Sequence, residues 1–356
     1  MIKKVLFSFE LEPGMVVADD VLDPVGRLVI SKGQALDAEI ISKLEFFAIS
    51  EVAIQIPDKE DSVPISRKTN SIKQSMEYQA FSTDYYEVIR LIKDNLDNLA
   101  KYGQPLDVDT LIKGVYLLIN DCKTVVQVFD IMYNMEPSDE AVYHHSLNVA
   151  IISVLLGRWL YFKRSDLNQL ALAGIVHDIG KLTIPTGILN KSGRLTDEEF
   201  ALIKNHVRSG YDIVSNQPID SRVKDAVMHH HERCDGTGYP TNAVGRDISD
   251  FAKIIAIADV YDAMTSSRSY REGHCPFEVI RIFVSEGLSK YDPQYIMTFM
   301  ENIVNSYLHN KVELSDGTVG KIVMINNMCL YKPIVECDGR FIDLNQSDLS
   351  IKKILI

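Results

Sequence analysis

Seven ionisable residues fall at spacings that successive helices would turn toward one interior: His145, His177, Asp178, His206, His230, His231 and Asp259. Side chains three or four positions apart share a helix face. Val142, His145, Val149, Ile152 and Leu156 form one stripe, so His145 points where aliphatic side chains point. Leu170, Gly174, His177 and Asp178 form a second stripe, and Val223, Val227, His230 and His231 a third. Ile255, Asp259, Asp262 and Ala263 form a fourth. His206 follows a helix start with capping-box spacing, Thr196-Asp197-Glu198-Glu199. Unpaired in an interior, such groups would be costly. A metal centre removes the conflict, because imidazole nitrogens and carboxylate oxygens suit first-row transition metals. Helical bundles build such centres from side chains on facing helices. Each position alone has a plainer reading as a hydrogen-bonded core histidine, a chance dipeptide or a capping aspartate. Their succession on consecutive helices favours the metal.

Charge then selects the substrate class. Two divalent ions against Asp178 and Asp259 would leave about +2 at the site, a field that attracts phosphate and acidifies bound water. That chemistry is metal-dependent phosphohydrolysis. No P-loop, GxGxxG or Ser-His-Asp order competes with it. The whole chain carries 37 basic and 49 acidic residues, a net charge of −12, which argues against a nucleic-acid-binding face.

The 356 residues are enough for two or three domains. Residues 1–57 read as a small α+β module. In it "GMVVADDVLDPVGRLVISKG" gives two strands around Asp23-Pro24-Val25-Gly26, "DAEIISKLEFFAI" a helix and "EVAIQI" a closing strand. Residues 58–75 are polar and read as a linker. Residues 76–135 are a helical lead-in, expected to pack onto the bundle or, the preferred reading, to form a homodimer. Residues 136–310 read as helix after helix and carry the site. Residues 311–356 alternate β-branched runs with Gly and Asp turns, giving a short β-rich extension. The fold class is therefore mainly α. Five cysteines with no CxxC pair suit a reducing cytoplasm. The longest apolar run, "NVAIISVLLGRWLYF", is broken by Arg158 and too short to span a bilayer, so no membrane insertion is expected.

The order "HHSLNVA … HDIGK … NHVRSG … HHERCDGTGYP … IADVYDAMTSSRSYR" resembles the HD-GYP subgroup of the HD-domain phosphohydrolases over residues 138–305. The resemblance implies an HD-type helical bundle that hydrolyses cyclic di-GMP, or a related cyclic dinucleotide, to pGpG or GMP. It implies two divalent ions, iron or in its place manganese. One would be held by His145, His177, Asp178 and Asp259, and the second by His206, His230 and His231, with Asp178 bridging. A metal-activated water would be the nucleophile. Lys181 would stabilise charge on the scissile phosphate, and Asp178 would share in catalysis. Tyr239, Gly238 and Pro240 would line the ligand, with Arg268 and Arg271 on its second phosphate or a base. Asp235 would brace the loop, and the loop itself would offer a surface for a regulatory protein. His144 and His229 sit off the stripes, and His274 and His309 lie outside the cluster. Some members of the family carry a Glu one helical turn before the first ligand histidine, where it helps to hold a third ion. Here that position is Ala141, and Glu140 points about 100° away on an ideal helix, so two ions are expected. Two other readings stand beside the enzyme: a metal-containing cyclic-dinucleotide receptor, and an HD hydrolase of another nucleotide.

Overall fold

The computed structural model describes residues 2–7, 11, 14–22, 28–37, 40, 51–56, 76–122, 124–134, 140–189, 191, 196–266 and 273–355. They divide into two compact units, Met1–Ser66 and Arg67–Ile356. In the first, β1 (Ile2–Phe7) pairs antiparallel with β4 (Glu51–Ile56), and β2 (Val21–Leu22) pairs antiparallel with β3 (Leu28–Ile30). Val17, Val21, Ile30, Leu36, Val52 and Ile54 form its own small core. The strands expected on either side of residues 23–26 are there. The turn itself, most of the expected helix over 37–49 and the 58–75 segment lie outside the described residues.

The second unit is mainly helical. It opens with α1 (Met76–Tyr102), α2 (Val108–Asp121) and α3 (Val125–Asn134). The apolar faces of these helices enter the same core as the helices that follow, through Tyr85, Ile92, Leu96, Leu111, Leu118 and Phe129. Two helices run through the middle, α4 (Ala141–Trp159) and, further along, α10 (Asp250–Thr265). Every residue of α4 from Ser146 to Gly157 is buried, and Phe251, Ala252, Ile254–Asp259, Tyr261 and Asp262 of α10 are buried as well. A helix apolar on all sides belongs inside a protein. Against these two pack α5 (Arg164–Val176) and α9 (Ser221–His229); a 3-10 turn (Ile179–Thr183) packs on α8 (His206–Ser215), and the short helices α6 (Thr186–Leu189) and α7 (Asp197–Lys204), between them in the chain, bury no residue. Then come α11 (Pro276–Ile282) and α12 (Pro293–Ser306).

Two glycines set the spacing at the centre. A Cβ on Gly174 of α5 would lie 2.4 Å from the Cα of Ala150 on α4. A Cβ on Gly180 would lie 1.9 Å from the carbonyl oxygen of His206. Only a bare α-carbon lets these backbones touch, and the contacts bring α5 against α4 and the 3-10 turn against α8.

Five short antiparallel strands close the chain, in the order β8 (Arg340–Asp343), β7 (Ile334–Cys337), β6 (Val319–Met324), β5 (Lys311–Leu314), β9 (Ile351–Leu355). Alternate residues point inward, and Val312, Leu314, Ile322 and Val335 join the helical core. Among the described residues no helix is long and apolar enough to cross a membrane.

The Gly174 contact is testable. Gly174→Ala should cost about 1–3 kcal/mol by overpacking, read as a lower urea midpoint for the helical unit. A variant as stable as the parent would show that this contact does not set the α4–α5 spacing.

Candidate metal centre

The fold brings all seven positions of the sequence pattern together, though not all from within helices. His145 lies in the second turn of α4 and Asp259 in the third turn of α10. His177 caps the C-terminus of α5 and Asp178 leads into the 3-10 turn. His230 caps the C-terminus of α9, with His231 one residue beyond. The negative ends of two helix dipoles therefore face the site, which favours cations there. The capping box at Thr196 and Glu199 forms as expected. The helix it starts ends at Lys204, and after Asn205 a new helix begins on His206.

Backbone carbonyls fix three of the rings. His177 Nδ1 donates to the Gly174 carbonyl at 2.8 Å and His206 Nδ1 to the Ile203 carbonyl at 2.7 Å. His230 Nδ1 donates to Ala226 and Val227 at 3.1 and 3.0 Å. A neutral imidazole whose Nδ1 carries the proton presents a lone pair at Nε2. Those three Nε2 atoms converge on Asp178, at 3.2 Å for His177, 3.1 Å for His206 and 3.7 Å for His230. The Nε2 atoms of His206 and His230 are themselves 3.4 Å apart. His177 Nε2 and Asp178 Oδ1 are buried without a hydrogen bond. Lone pairs thus face lone pairs in a closed space, and a cation is what such a donor set fits.

The donor atoms fall into two sets, each drawn within 4.8 Å: Asp178, His206, His230 and His231, and His145, His177 and Asp259. The two sets adjoin, since His145 Nε2 is 3.5 Å from Asp178 Oδ2 and His231 Nδ1 is 3.8 Å from Asp259 Oδ2. Burial holds the His230 imidazole down at about 4, and burial with the neighbouring His230 holds His231 well below its usual value. Both rings are therefore neutral at pH 7, the form in which an imidazole can take an ion. Burial alone would push the Asp178 carboxyl up, but the Lys181 ammonium outweighs it and keeps the acid ionised.

His145 is different. Its Nδ1 lies 2.7 Å from Asp262 Oδ2 and its Nε2 lies 3.0 Å from Asp259 Oδ1. Burial opposes its charge, yet the two carboxylates win and push its pKa up to about 10. Without a cation the ring carries a proton on each nitrogen.

The remaining expected residues are placed as follows. Lys181 Nζ sits 2.5 Å from Asp178 Oδ2. Tyr239 stacks on the His231 ring, with centroids 4.7 Å apart and planes at 26°. Burial, then the charges of Asp178 and Asp259, push its phenol up. A Cβ on Gly238 would lie 2.4 Å from Glu232 Cα, so the loop folds flat on the end of α9, and Pro240 follows through a cis peptide bond. Asp235 braces the loop by accepting from Thr237 N and Oγ1 at 3.0 and 2.6 Å. Arg268 and Arg271 lie outside the described residues. Glu140 accepts from Lys93 Nζ. His144 packs against the rings of Tyr85 and Tyr86, and His229 pairs with Asp225 at 2.8 Å.

The sequence reading missed three residues. Asp262 lay on the Asp259 stripe but was given no role. Asn148 stands one turn after His145 in an otherwise aliphatic stretch, which was its only signal. Glu232 is buried, and its carboxylate accepts from Thr241 N, Thr241 Oγ1 and Ala243 N at 2.6, 2.7 and 3.0 Å, holding the loop that carries Tyr239.

Residues 132–295 match the HD domain family. A solved structure from Bdellovibrio bacteriovorus, Bd1817, described as an HDG"Y"P protein, has the same fold with a TM-score of 0.53. It is 16% identical, and the likeness covers 85% of this chain and 99% of that one. This chain carries an HD-GYP domain. The HD-GYP region is also similar to the cyclic di-GMP phosphodiesterase PA4108 of Pseudomonas aeruginosa, at 36% identity over 206 residues, 58% of this chain and 50% of that protein. It is similar to the 3'3'-cGAMP-specific phosphodiesterase 1 of Vibrio cholerae, at 30% identity over 234 residues, 65% of this chain and 51% of that protein. The chain spans about half the length of these curated relatives. The HD-GYP domain and its buried His/Asp cluster together mark a divalent-metal site.

The state of His145 has a measurable consequence. Its pKa is raised, so at pH 7 the empty ring is protonated, and an ion taken at Nε2 must displace that proton. Calorimetric metal titrations in buffers of different ionisation enthalpy should show about one proton released, with affinity rising about tenfold per pH unit between pH 7 and 9. Affinity flat across that range would show that His145 binds as an already neutral ring.

Proposed function

We propose that the protein is a binuclear metal-dependent phosphodiesterase of cyclic di-GMP, yielding pGpG or GMP. The observation that carries this reading is the pair of adjoining donor sets, with His177 Nε2 and Asp178 Oδ1 left without hydrogen bonds between them. In this proposal His145, His177, Asp178 and Asp259 hold one ion. His206, His230 and His231 hold the other, and Asp178 is shared. Iron is the proposed metal, with manganese a working substitute. Two ions rather than three follow from Ala141 at the position where a further carboxylate would be needed, and from Lys93 engaging Glu140. When bound, divalent ions would polarise a phosphodiester and make water acidic enough to attack at neutral pH.

The chain's own groups then take these parts. The carbonyl-bound histidines present Nε2 and keep the donor geometry fixed before substrate arrives. Lys181, beside Asp178, offers an ammonium to the negative charge that builds on the phosphoryl oxygens. It also offsets Asp262, whose charge was missing from the count made on sequence, so the loaded site keeps about +2. Tyr239, held by the Glu232-braced loop, offers a ring face and a hydroxyl at the edge of the centre, with Gly238 and Pro240 fixing its approach. Arg268 and Arg271 are proposed to meet the second phosphate or a guanine, their forked donors suiting both. The cytoplasm is the proposed place of action, consistent with five free thiols.

Similarity to a cGAMP-specific relative supports a second reading of the same site, in which the preferred substrate is a mixed cyclic dinucleotide. Metal-loaded protein incubated with cyclic di-GMP and 3'3'-cGAMP, with products resolved by chromatography, separates the two. Binding of either without turnover, in protein reloaded with iron without oxygen, would leave a receptor and overturn the enzyme.

Asp178→Ala should lose both ions and all activity. Lys181→Ala should keep both ions and lose about 100- to 1,000-fold in turnover, the range seen when one charge-stabilising donor is removed. Full metal content in Asp178→Ala, measured by elemental analysis, would show that the carboxylate is not shared.

A further inference from the structure

Three of the metal-facing histidines take their orientation from the backbone, but His145 takes it from side chains. Asp262 Oδ2 accepts from His145 Nδ1 at 2.7 Å, and Asp262 Oδ1 accepts from Asn148 Nδ2 at 2.8 Å and from Ser266 Oγ at 2.8 Å. Asn148 Oδ1 in turn lies 2.7 Å from the hydroxyl of Tyr85. Tyr85, Asn148 and Asp262 are all buried.

Every hydrogen in this chain is determined by what its neighbour can do. A carboxylate only accepts, so Asn148 must turn its NH2 toward Asp262. Its carbonyl then faces Tyr85, and the phenol must donate. With both Asp262 oxygens occupied as acceptors, the proton on His145 Nδ1 is the one that stays, and the Nε2 proton is the one an ion displaces. Remove the phenol hydroxyl and the Asn148 carbonyl is left buried without a donor, so Asp262 alone holds the amide in this sense and the relay loosens.

Tyr85 belongs to α1, outside residues 132–295 that match the HD domain. We infer that Tyr85 is a positioning residue for the metal ligand His145, acting through Asn148 and Asp262, so that the helix preceding the HD-GYP domain completes its metal centre. This rests on the binuclear reading above. A matched control exists in the same helix pair. The Tyr143 hydroxyl of α4 donates to Asp97 of α1 at 2.5 Å, away from the relay.

The test is Mn2+ binding to chelator-stripped protein, with free Mn2+ followed by electron paramagnetic resonance. Wild type and Tyr143→Phe should bind two ions with the same two constants. Tyr85→Phe should weaken one of them about threefold to tenfold, the worth of one buried hydrogen bond. Asp262→Asn should weaken the same ion about 10- to 100-fold, as loss of a ligand-orienting partner does. Asn148→Ala cuts the chain at its middle link, should weaken that ion as well, and carries the test should Tyr85→Phe not fold. Wild-type constants in Tyr85→Phe, or an equal loss in Tyr143→Phe, would overturn the relay while leaving the metal centre standing. Absence of Mn2+ binding in wild type would instead remove the binuclear reading, and this inference with it.

Discussion

Electrostatic repulsion among buried lone pairs is what the helical unit is built to hold. Four imidazole nitrogens and a carboxylate meet where water is scarce, and backbone carbonyls have already claimed the protons that would relieve three of those rings. Such an arrangement is unfavourable by itself. The surrounding helices impose it through close backbone contacts at Gly174 and Gly180. The fold spends packing to keep a donor set poised, and a cation converts the strain of that set into binding. Stability of the loaded protein and metal affinity are therefore linked quantities.

Much of the centre was readable in the chain because helix periodicity is a strong signal. His145 and Asp259 sit within helices and among aliphatic neighbours, so their direction followed from spacing alone. His177, Asp178, His230 and His231 were placed on stripes too, yet they stand at or past helix ends. Spacing gave their direction and hid the reason for it, which is that a capping residue can return its Nδ1 proton to a carbonyl one turn back. The break at Asn205 was invisible because nothing in "LIKNHVRS" stops a helix by composition.

Residues that act through a partner far along the chain were the ones sequence could not assign. Tyr85, Asn148 and Asp262 are 63 and 114 positions apart in their two links. A buried Asn or Tyr reads as a packing residue until its neighbour is known. Glu232 was quoted within a motif but given no task, since its partners Thr241 and Ala243 are set by how the loop turns. Likewise, the C-terminal strands were evident as strands, while their order, with β9 returning beside β5, depends on pairings between distant segments.

The histidines divide by what orients them. His177, His206 and His230 answer to main-chain oxygens, and no exchange of a neighbouring side chain takes those oxygens away short of unwinding a helix end. His145 answers to three side chains that can be replaced one at a time. Three of the rings are thus shielded from drift in their surroundings, while the fourth is open to gradual adjustment, and divergence among chains of this build should gather around α1, Asn148 and Asp262 rather than around the rings themselves.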